Sequence, residues 1–261
     1  MDTGLRGRRA VVTGASKGIG LAIVESLAAE GAHVIAGARH SSPRLDALVA
    51  AGSVTAARVD LATPDGPQHL IDQALAGGGV DILVNNVGAV TPRVDGFLAV
   101  TDEQWMDSMN LTFMAAVRSV RAVLPGMLAA GSGTIVTVAS VNSFLPDPGV
   151  IDYCAAKAAL ANFSKALSKE VGPLGIRVNT VSPGPVETDL WLAEGGVADA
   201  ISGASGQDPA TIVAAATAGT ATGRFTQPQE VADLVVLLAG TRAANVTGAD
   251  FVIDGGLTST L

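Results

Sequence analysis

Tyr153 is the only tyrosine of the 261-residue chain, and Lys157 follows it in the Ala-rich run Asp152 to Ala161. Residues four apart on a helix stand one turn apart on one face. A free phenol has a pKa of about 10, too high to exchange protons efficiently near neutrality. An ammonium about 5 Å away, at an effective dielectric of about 20, favours the phenolate by roughly 3 kcal/mol, or about two pKa units. A tyrosine so placed could protonate a carbonyl oxygen or deprotonate an alcohol. Ser140 ends an apolar run shortly before Tyr153, and its hydroxyl could hold the substrate oxygen against the phenol; taken alone, a serine at a strand end is more often a turn residue. Asn110 is polar within the apolar stretch Met109 to Val117 and needs a partner if buried. Either the backbone satisfies it or it holds a water on a proton path to Lys157.

A second group of residues could bind an anion. Thr13-Gly14-Ala15-Ser16-Lys17-Gly18-Ile19-Gly20 follows a strand pattern and opens a helical one. Backbone N–H groups at a helix start attract phosphate, and glycines let a pyrophosphate approach closely. Gly14, Ser16, Lys17, Gly18, Ile19 and Gly20 are therefore candidate dinucleotide contacts. The loop lacks the Gly-Lys-Ser/Thr ending of ATPase phosphate loops. The second strand pattern ends at Gly37-Ala38-Arg39-His40 with no acid to accept from a ribose 2′-hydroxyl. Arg39 could instead fork onto a 2′-phosphate, with Lys17 adding charge, which favours NADP (NADPH) over the alternative, NAD. Asp60-Leu61 could reach an adenine amino group, or be an ordinary strand end. Asn85-Asn86-Val87-Gly88 could hold strands together, contact a ribose, or form a simple turn.

These residues need elements to position them. Strand patterns occur at 8–12, 33–37, 54–59, 81–84, 134–138, 176–181 and 250–254, with helical patterns near 18–30, 43–51, 65–76, 102–128, 152–171 and 228–239. Thr226 and Gln229 read as a capping box for the last helix, with Pro228 in its first turn. Strict alternation of strand and helix implies βαβ crossovers. The expectation is an α/β, doubly wound Rossmann fold: a seven-stranded parallel sheet with helices on both faces, in a single domain over 1–261. The Gly-, Ala-, Ser- and Thr-rich stretch at about 190–225, with one helix entered at Asp208-Pro209, reads as a substrate lid.

Composition narrows the function classes. A net charge of −8 disfavours nucleic acid and anionic membrane. No apolar run is expected to approach the roughly 18 to 20 residues of a membrane span, and the start has no apolar signal stretch. One cysteine and three histidines make neither a disulfide framework nor a metal cage, so no metal is expected. The expected setting is the cytoplasm.

With these residues in hand, the chain resembles the short-chain dehydrogenase/reductase family, in its single-domain form, and particularly members like the 3-oxoacyl-acyl-carrier-protein reductases. The likeness runs through Thr13–Gly20, Asp60, Asn85–Gly88, Asn110, Ser140, Tyr153, Lys157, Pro183-Gly184-Pro185-Val186-Glu187-Thr188 and the closing Asp254-Gly255-Gly256. The resemblance implies a catalytic tetrad of Asn110, Ser140, Tyr153 and Lys157, with Tyr153 as general acid/base and Lys157 also holding the nicotinamide ribose. It implies that Asn86, Gly88, Pro183 and Gly184 line the cofactor site, that Val186 and Thr188 contact the carboxamide, and that the protein is a homotetramer or homodimer. Val87 stands where the family usually has alanine. The expected reaction moves a hydride between the cofactor and a carbonyl or secondary alcohol of a moderately apolar small molecule. The pocket walls are placed at Val90–Val94, Ser140–Leu145, Pro185 and from Leu190 onward. Two alternatives stand: an acyl-carrier-linked 3-oxoacyl reductase, for which Arg118 and Arg121 are the candidate docking cations, and a non-catalytic NADP sensor or scaffold.

Overall fold

The apolar runs form parallel strands β1 (Arg9–Thr13), β2 (His33–Ala38), β3 (Val54–Arg58), β4 (Ile82–Asn85), β5 (Gly133–Val138), β6 (Ile176–Pro183) and β7 (Asp250–Ile253). The structure, a computed structural model, describes residues 2–259. The strands lie in the order β3-β2-β1-β4-β5-β6-β7. β1, β4 and β5 are covered on both faces, which is why they read as continuous rather than alternating apolar runs. The helices are α1 (Gly18–Ala29), α2 (Pro43–Ala50), α3 (Gly66–Ala76), α4 (Asp102–Met109), α5 (Ala115–Ala130), α6 (Ile151–Val171), α7 (Asp189–Leu192), α8 (Val197–Ser205), α9 (Pro209–Ala218) and α10 (Pro228–Ala239).

Two apolar layers hold the sheet. On one face Ile23, Val24 and Leu27 of α1 and Val231, Val235 and Leu238 of α10 pack on Val12, Val84 and Val136. On the other, Leu70 and Ile71 of α3, Val123 and Met127 of α5 and Leu167 of α6 pack on Val11, Leu83 and Ile135. The winding reverses between β1 and β4, whose carboxyl ends diverge into a crevice, the usual place for a ligand on such a sheet.

Three local expectations change. The helix expected over 102–128 is a rod with a π-helical turn at Asn110–Met114, so the candidate Asn110 begins the one turn where α-helical spacing is abandoned; such turns cluster at functional sites. The stretch from 190 to 225 holds three helices instead of one, although α9 does start where expected, with the Asp208 side chain accepting from the Ala210 amide at 3.4 Å. The capping box of α10 is one residue later than expected, on Gln227 and Glu230. Thr226 is unavailable because it is buried in extended backbone, its amide donating to the Pro185 carbonyl at 3.0 Å and its own carbonyl accepting from Glu187 at 2.9 Å.

The rod Asp102–Ala130 is also long and apolar enough to cross a membrane by length and composition. This differs from the expectation that no apolar run approaches span length, because Asn110, Arg118 and Arg121 break up the run in the sequence while the mean hydropathy of the helix stays high. Its buried residues, among them Ala115, Ala116, Val120, Val123 and Met127, face the body of the protein.

Candidate active site

The glycine loop is locked to the loop after β4. The Thr13 hydroxyl donates to the Val84 carbonyl at 3.2 Å and accepts from the Asn86 and Val87 amides at 2.9 and 3.1 Å. Asn86 Nδ2 donates to the carbonyls of Thr13 and Gly14 at 2.9 and 3.1 Å, so this asparagine fastens the two sides of the crevice together. Gly14 has a φ of 68°, and a Cβ there would lie 2.9 Å from Val87 Cα; one on Gly20 would lie 2.1 Å from the Gly14 carbonyl oxygen. No side chain caps α1 and no acid occupies its first turn, so its leading amides are left for an anion. The cradle thus fits the pyrophosphate of a dinucleotide. Gly20→Ala is expected to force the loop apart, with an overpacking cost of about 1–3 kcal/mol and an NADPH affinity about 10- to 100-fold weaker, read by fluorescence titration.

At the outer end of the crevice Arg39 and Lys17 are exposed and make no side-chain hydrogen bond or ion pair among the described residues. Asp60 is exposed and turns one carboxylate oxygen to the Ala62 amide at 3.0 Å, while Leu61 is buried. At the inner end the chain leaves β6 through Pro183 and Gly184, whose amide donates to the Ile253 carbonyl at 2.9 Å. It then passes buried Val186 and reaches Thr188, whose methyl would lie 3.3 Å from a Cβ on Gly18. The 183–188 segment therefore bends over the glycine loop. Ser16 and Ile19 are partly buried in that loop.

Between these ends β5 delivers Ser140, and α6 delivers Tyr153 and Lys157. The Ser140 hydroxyl accepts from the Asn142 amide at 3.2 Å and stands beside the phenol. Lys157 is buried, its Nζ 5.6 Å from the Tyr153 ring centre and donating to the Val138 carbonyl at 2.8 Å. The expected lowering of the phenol is overturned in the chain alone: burial pushes Tyr153 up to about 12, against the opposing pull of Ser140. The same burial lowers Lys157 to about 8. Loss of solvation outweighs the attraction between ammonium and phenolate, because both groups are taken out of water together.

Asn110 does not turn its side-chain oxygen toward Lys157; Oδ1 accepts from Arg118 at 3.3 Å. Arg118 also donates to the Ala62 carbonyl at 3.4 Å, so it lies inside the molecule's own network, and of the two candidate docking cations only Arg121 is exposed. Two participants were not legible in the sequence. The Thr112 hydroxyl is buried without a partner, and both it and Lys157 Nζ lie within 4 Å of where a Cβ on Gly88 would stand. Its neighbourhood depends on the π-helical turn, which no residue pattern announces. The other is Arg93, which pairs with Asp152 beside Tyr153. A separate cavity of about 420 Å³ lies at the amino ends of β4, β5 and β6, lined in part by Arg177, whose guanidinium donates to the carbonyls of Ala243, Val246 and Gly240.

The short chain dehydrogenase family matches residues 8–195. This chain belongs to that family. The short chain dehydrogenase described here is 36% identical over 258 residues to the 3-oxoacyl-[acyl-carrier-protein] reductase FabG of Vibrio cholerae, covering 97% of this chain and 98% of that one. Among solved structures it is similar to L-sorbose reductase from Gluconobacter frateurii complexed with NADPH and L-sorbose, with a TM-score of 0.91, 36% identity and full coverage of both chains. It is also similar to a 3-oxoacyl (acyl-carrier-protein) reductase from Agrobacterium tumefaciens C58 with NADP bound, with a TM-score of 0.85, 30% identity and coverage of 98% of this chain and 96% of that one. The protein is an oxidoreductase that uses a nicotinamide cofactor.

Proposed function

We propose that this short chain dehydrogenase is an NADPH-dependent ketoreductase whose substrate is a free, moderately apolar ketone or aldehyde. The observation that carries the reading is the meeting of a pyrophosphate cradle with the half-buried Tyr153 and the buried Ser140 and Lys157. When bound, the cofactor supplies hydride. Gly14, Ser16, Gly18, Ile19 and Gly20 would hold its pyrophosphate, Lys17 and Arg39 would hold a 2′-phosphate, Asp60 and Leu61 would border the adenine, and Pro183, Gly184, Val186 and Thr188 would flank the carboxamide. Gly88 leaves open the space in front of Lys157, where a ribose hydroxyl can reach the ammonium. Ser140 orients the substrate oxygen, and Tyr153 gives its phenolic proton to that oxygen. Lys157 stabilises the phenolate left behind, and Asn110 begins the π-helical turn that packs against α6.

The rim argues for the substrate class. Phe144, Leu145 and Leu190 are each between 42% and 45% exposed there, a surface that suits hydrocarbon better than a polyol. Likeness to acyl-carrier reductases keeps a carrier-linked β-keto thioester as a second reading. Arg121 alone is a thin docking site for an acidic carrier on a protein of net charge −8, and a salt-sensitive preference for carrier-bound over free substrate would favour that second reading.

The stretch at about 190–225 we take as a substrate lid on the single domain. Its base is held by the parallel bridge Val186–Thr226 and by Trp191 against Phe225, ring centres 5.2 Å apart, while α8 and α9 lie between. A homotetramer fits the rod Asp102–Ala130, of whose most apolar stretch only 33% is buried within one chain. The free, buried Cys154 suits the reducing cytoplasm.

The test is initial-rate oxidation of NADPH and of NADH against a panel of ketones, aldehydes and β-ketoesters. Turnover with NADPH is expected. Arg39→Ala is expected to lower kcat/KM for NADPH by about 10- to 100-fold, the worth of a lost charge-assisted hydrogen bond, and to leave NADH use unchanged. Equal or better turnover of the native protein with NADH would overturn the cofactor preference.

A further inference from the structure

Tyr153 is the third residue of α6, so its position depends on the helix's first turn, yet no side chain caps that helix. The helix is entered directly from a 3-10 turn at Pro148–Val150, so the place of its first turn depends on what holds that entry. What holds it instead comes from the loop after β4. Arg93 Nε donates to Asp152 Oδ1 at 3.1 Å, and Nη2 donates to Oδ2 at 2.5 Å. The two side chains are 11% and 3% exposed. The Arg93 amide also donates to the Gly149 carbonyl at 2.7 Å, and Asp147 caps the Gly149 amide at 2.8 Å. On the far side Cys154 Sγ accepts from the Asp147 amide at 3.3 Å. The turn that carries the phenol is thus fastened to the 88–96 loop on one side and to the 144–150 loop on the other.

We propose that Arg93 is a positioning residue of the reaction: by a buried two-point ion pair with Asp152 it fixes the first turn of α6, and with it Tyr153, against the two loops that wall the substrate. The proposal rests on Tyr153 being the proton donor. A largely desolvated pair gains little stability over an apolar pair of similar size, so stability alone is a weak reason for its presence. Its two-point geometry does what an apolar contact cannot. It sets both the distance and the rotation of the residue next to Tyr153. Arg93 itself does not touch the reacting atoms. Misplacement of a reacting group by about 1 Å can cost about 100-fold in rate.

The experiment compares Arg93→Met, Arg93→Lys and the double variant Arg93→Met/Asp152→Leu with the native enzyme and with Tyr153→Phe. Arg93→Met leaves a buried carboxylate unpaired and is expected to lower the melting temperature. The double variant buries no charge and is expected to recover it. The kcat of both is expected to stay about tenfold or more below native, with NADPH dissociation constants within about twofold, and Arg93→Lys falls between. Because Tyr153 is the only tyrosine, ring-labelled tyrosine gives an NMR spectrum of the phenol alone. Broadened or doubled signals are expected in the double variant. Native kcat together with a native tyrosine spectrum in the double variant would overturn the proposal. Should Arg93→Met fail to fold, the double and lysine variants decide. Should Tyr153→Phe prove active, the proton-donor reading fails on its own account and the tyrosine spectrum alone judges Arg93.

Discussion

Tyr153→Phe is expected to lower kcat for carbonyl reduction by about 10²- to 10⁴-fold, the usual worth of a positioned acid or base, while NADPH binds within about twofold of native. The substitution removes one oxygen and keeps the ring, so the packing of α6 against β5 and the π-helical turn is undisturbed. The pH profile carries the sign. With the phenol held at about 12 by burial, it stays protonated through the neutral range, as a proton donor must. Lys157, lowered to about 8, loses its charge as pH rises through that value, and the phenolate formed on proton donation then lacks its nearest cation. Reduction should therefore be flat from about pH 6 to 8 and fall above, whereas alcohol oxidation, which needs the phenolate, should rise with pH. Initial rates in both directions across pH 6 to 10 check this. Undiminished turnover in Tyr153→Phe would remove Tyr153 from the chemistry; an unchanged biological output without turnover would support the sensor alternative.

What was legible in the sequence follows from how local each cause is. The glycine loop could be read because Gly14 and Gly20 answer to contacts within a few residues and to one neighbouring loop. The parallel sheet could be read because strands buried on both faces have no polar alternation. Tyr153 and Lys157 could be paired because helical spacing is a local property. Other features depend on residues far apart in the chain. Asn110 was legible as a polar interruption, but not its partner Arg118 or the π-helical turn it begins. Thr226 reads as a cap in the sequence because its strand-like pairing with the 185–187 segment is invisible locally. Arg93 and Asp152 are 59 residues apart, and nothing in either neighbourhood marks them as partners. The direction of the Tyr153 shift is not legible for the same reason: charge proximity can be read from spacing, whereas desolvation depends on what covers the site.

Lys157→Met is expected to abolish reduction and yet make the protein more stable at neutral pH. Burial lowers Lys157 from 10.5 to about 8, and its Nζ has a single protein acceptor, the Val138 carbonyl at 2.8 Å. A depression of that size means that keeping the lysine charged in the fold costs on the order of 3 kcal/mol. Methionine fills similar volume without that penalty but leaves the Val138 carbonyl unpartnered, which costs about 1–3 kcal/mol. The expected net gain is on the order of 1 kcal/mol, a rise of about 2–4 °C in Tm for a chain of this size. The sign can be checked against pH. The unfolded lysine binds its proton more tightly than the folded one, so native stability rises as pH climbs from about 8 to 10.5. The advantage of Lys157→Met should accordingly be full below pH 8 and shrink across that window. A melting series from pH 6 to 10.5 reads it directly. A variant less stable than native at every pH would show that the ammonium is satisfied in the fold, and that its place beside Tyr153 carries no cost in stability. A more stable, inactive variant whose advantage fades with rising pH would show that the fold tolerates a buried cation for the sake of the proton transfer at Tyr153.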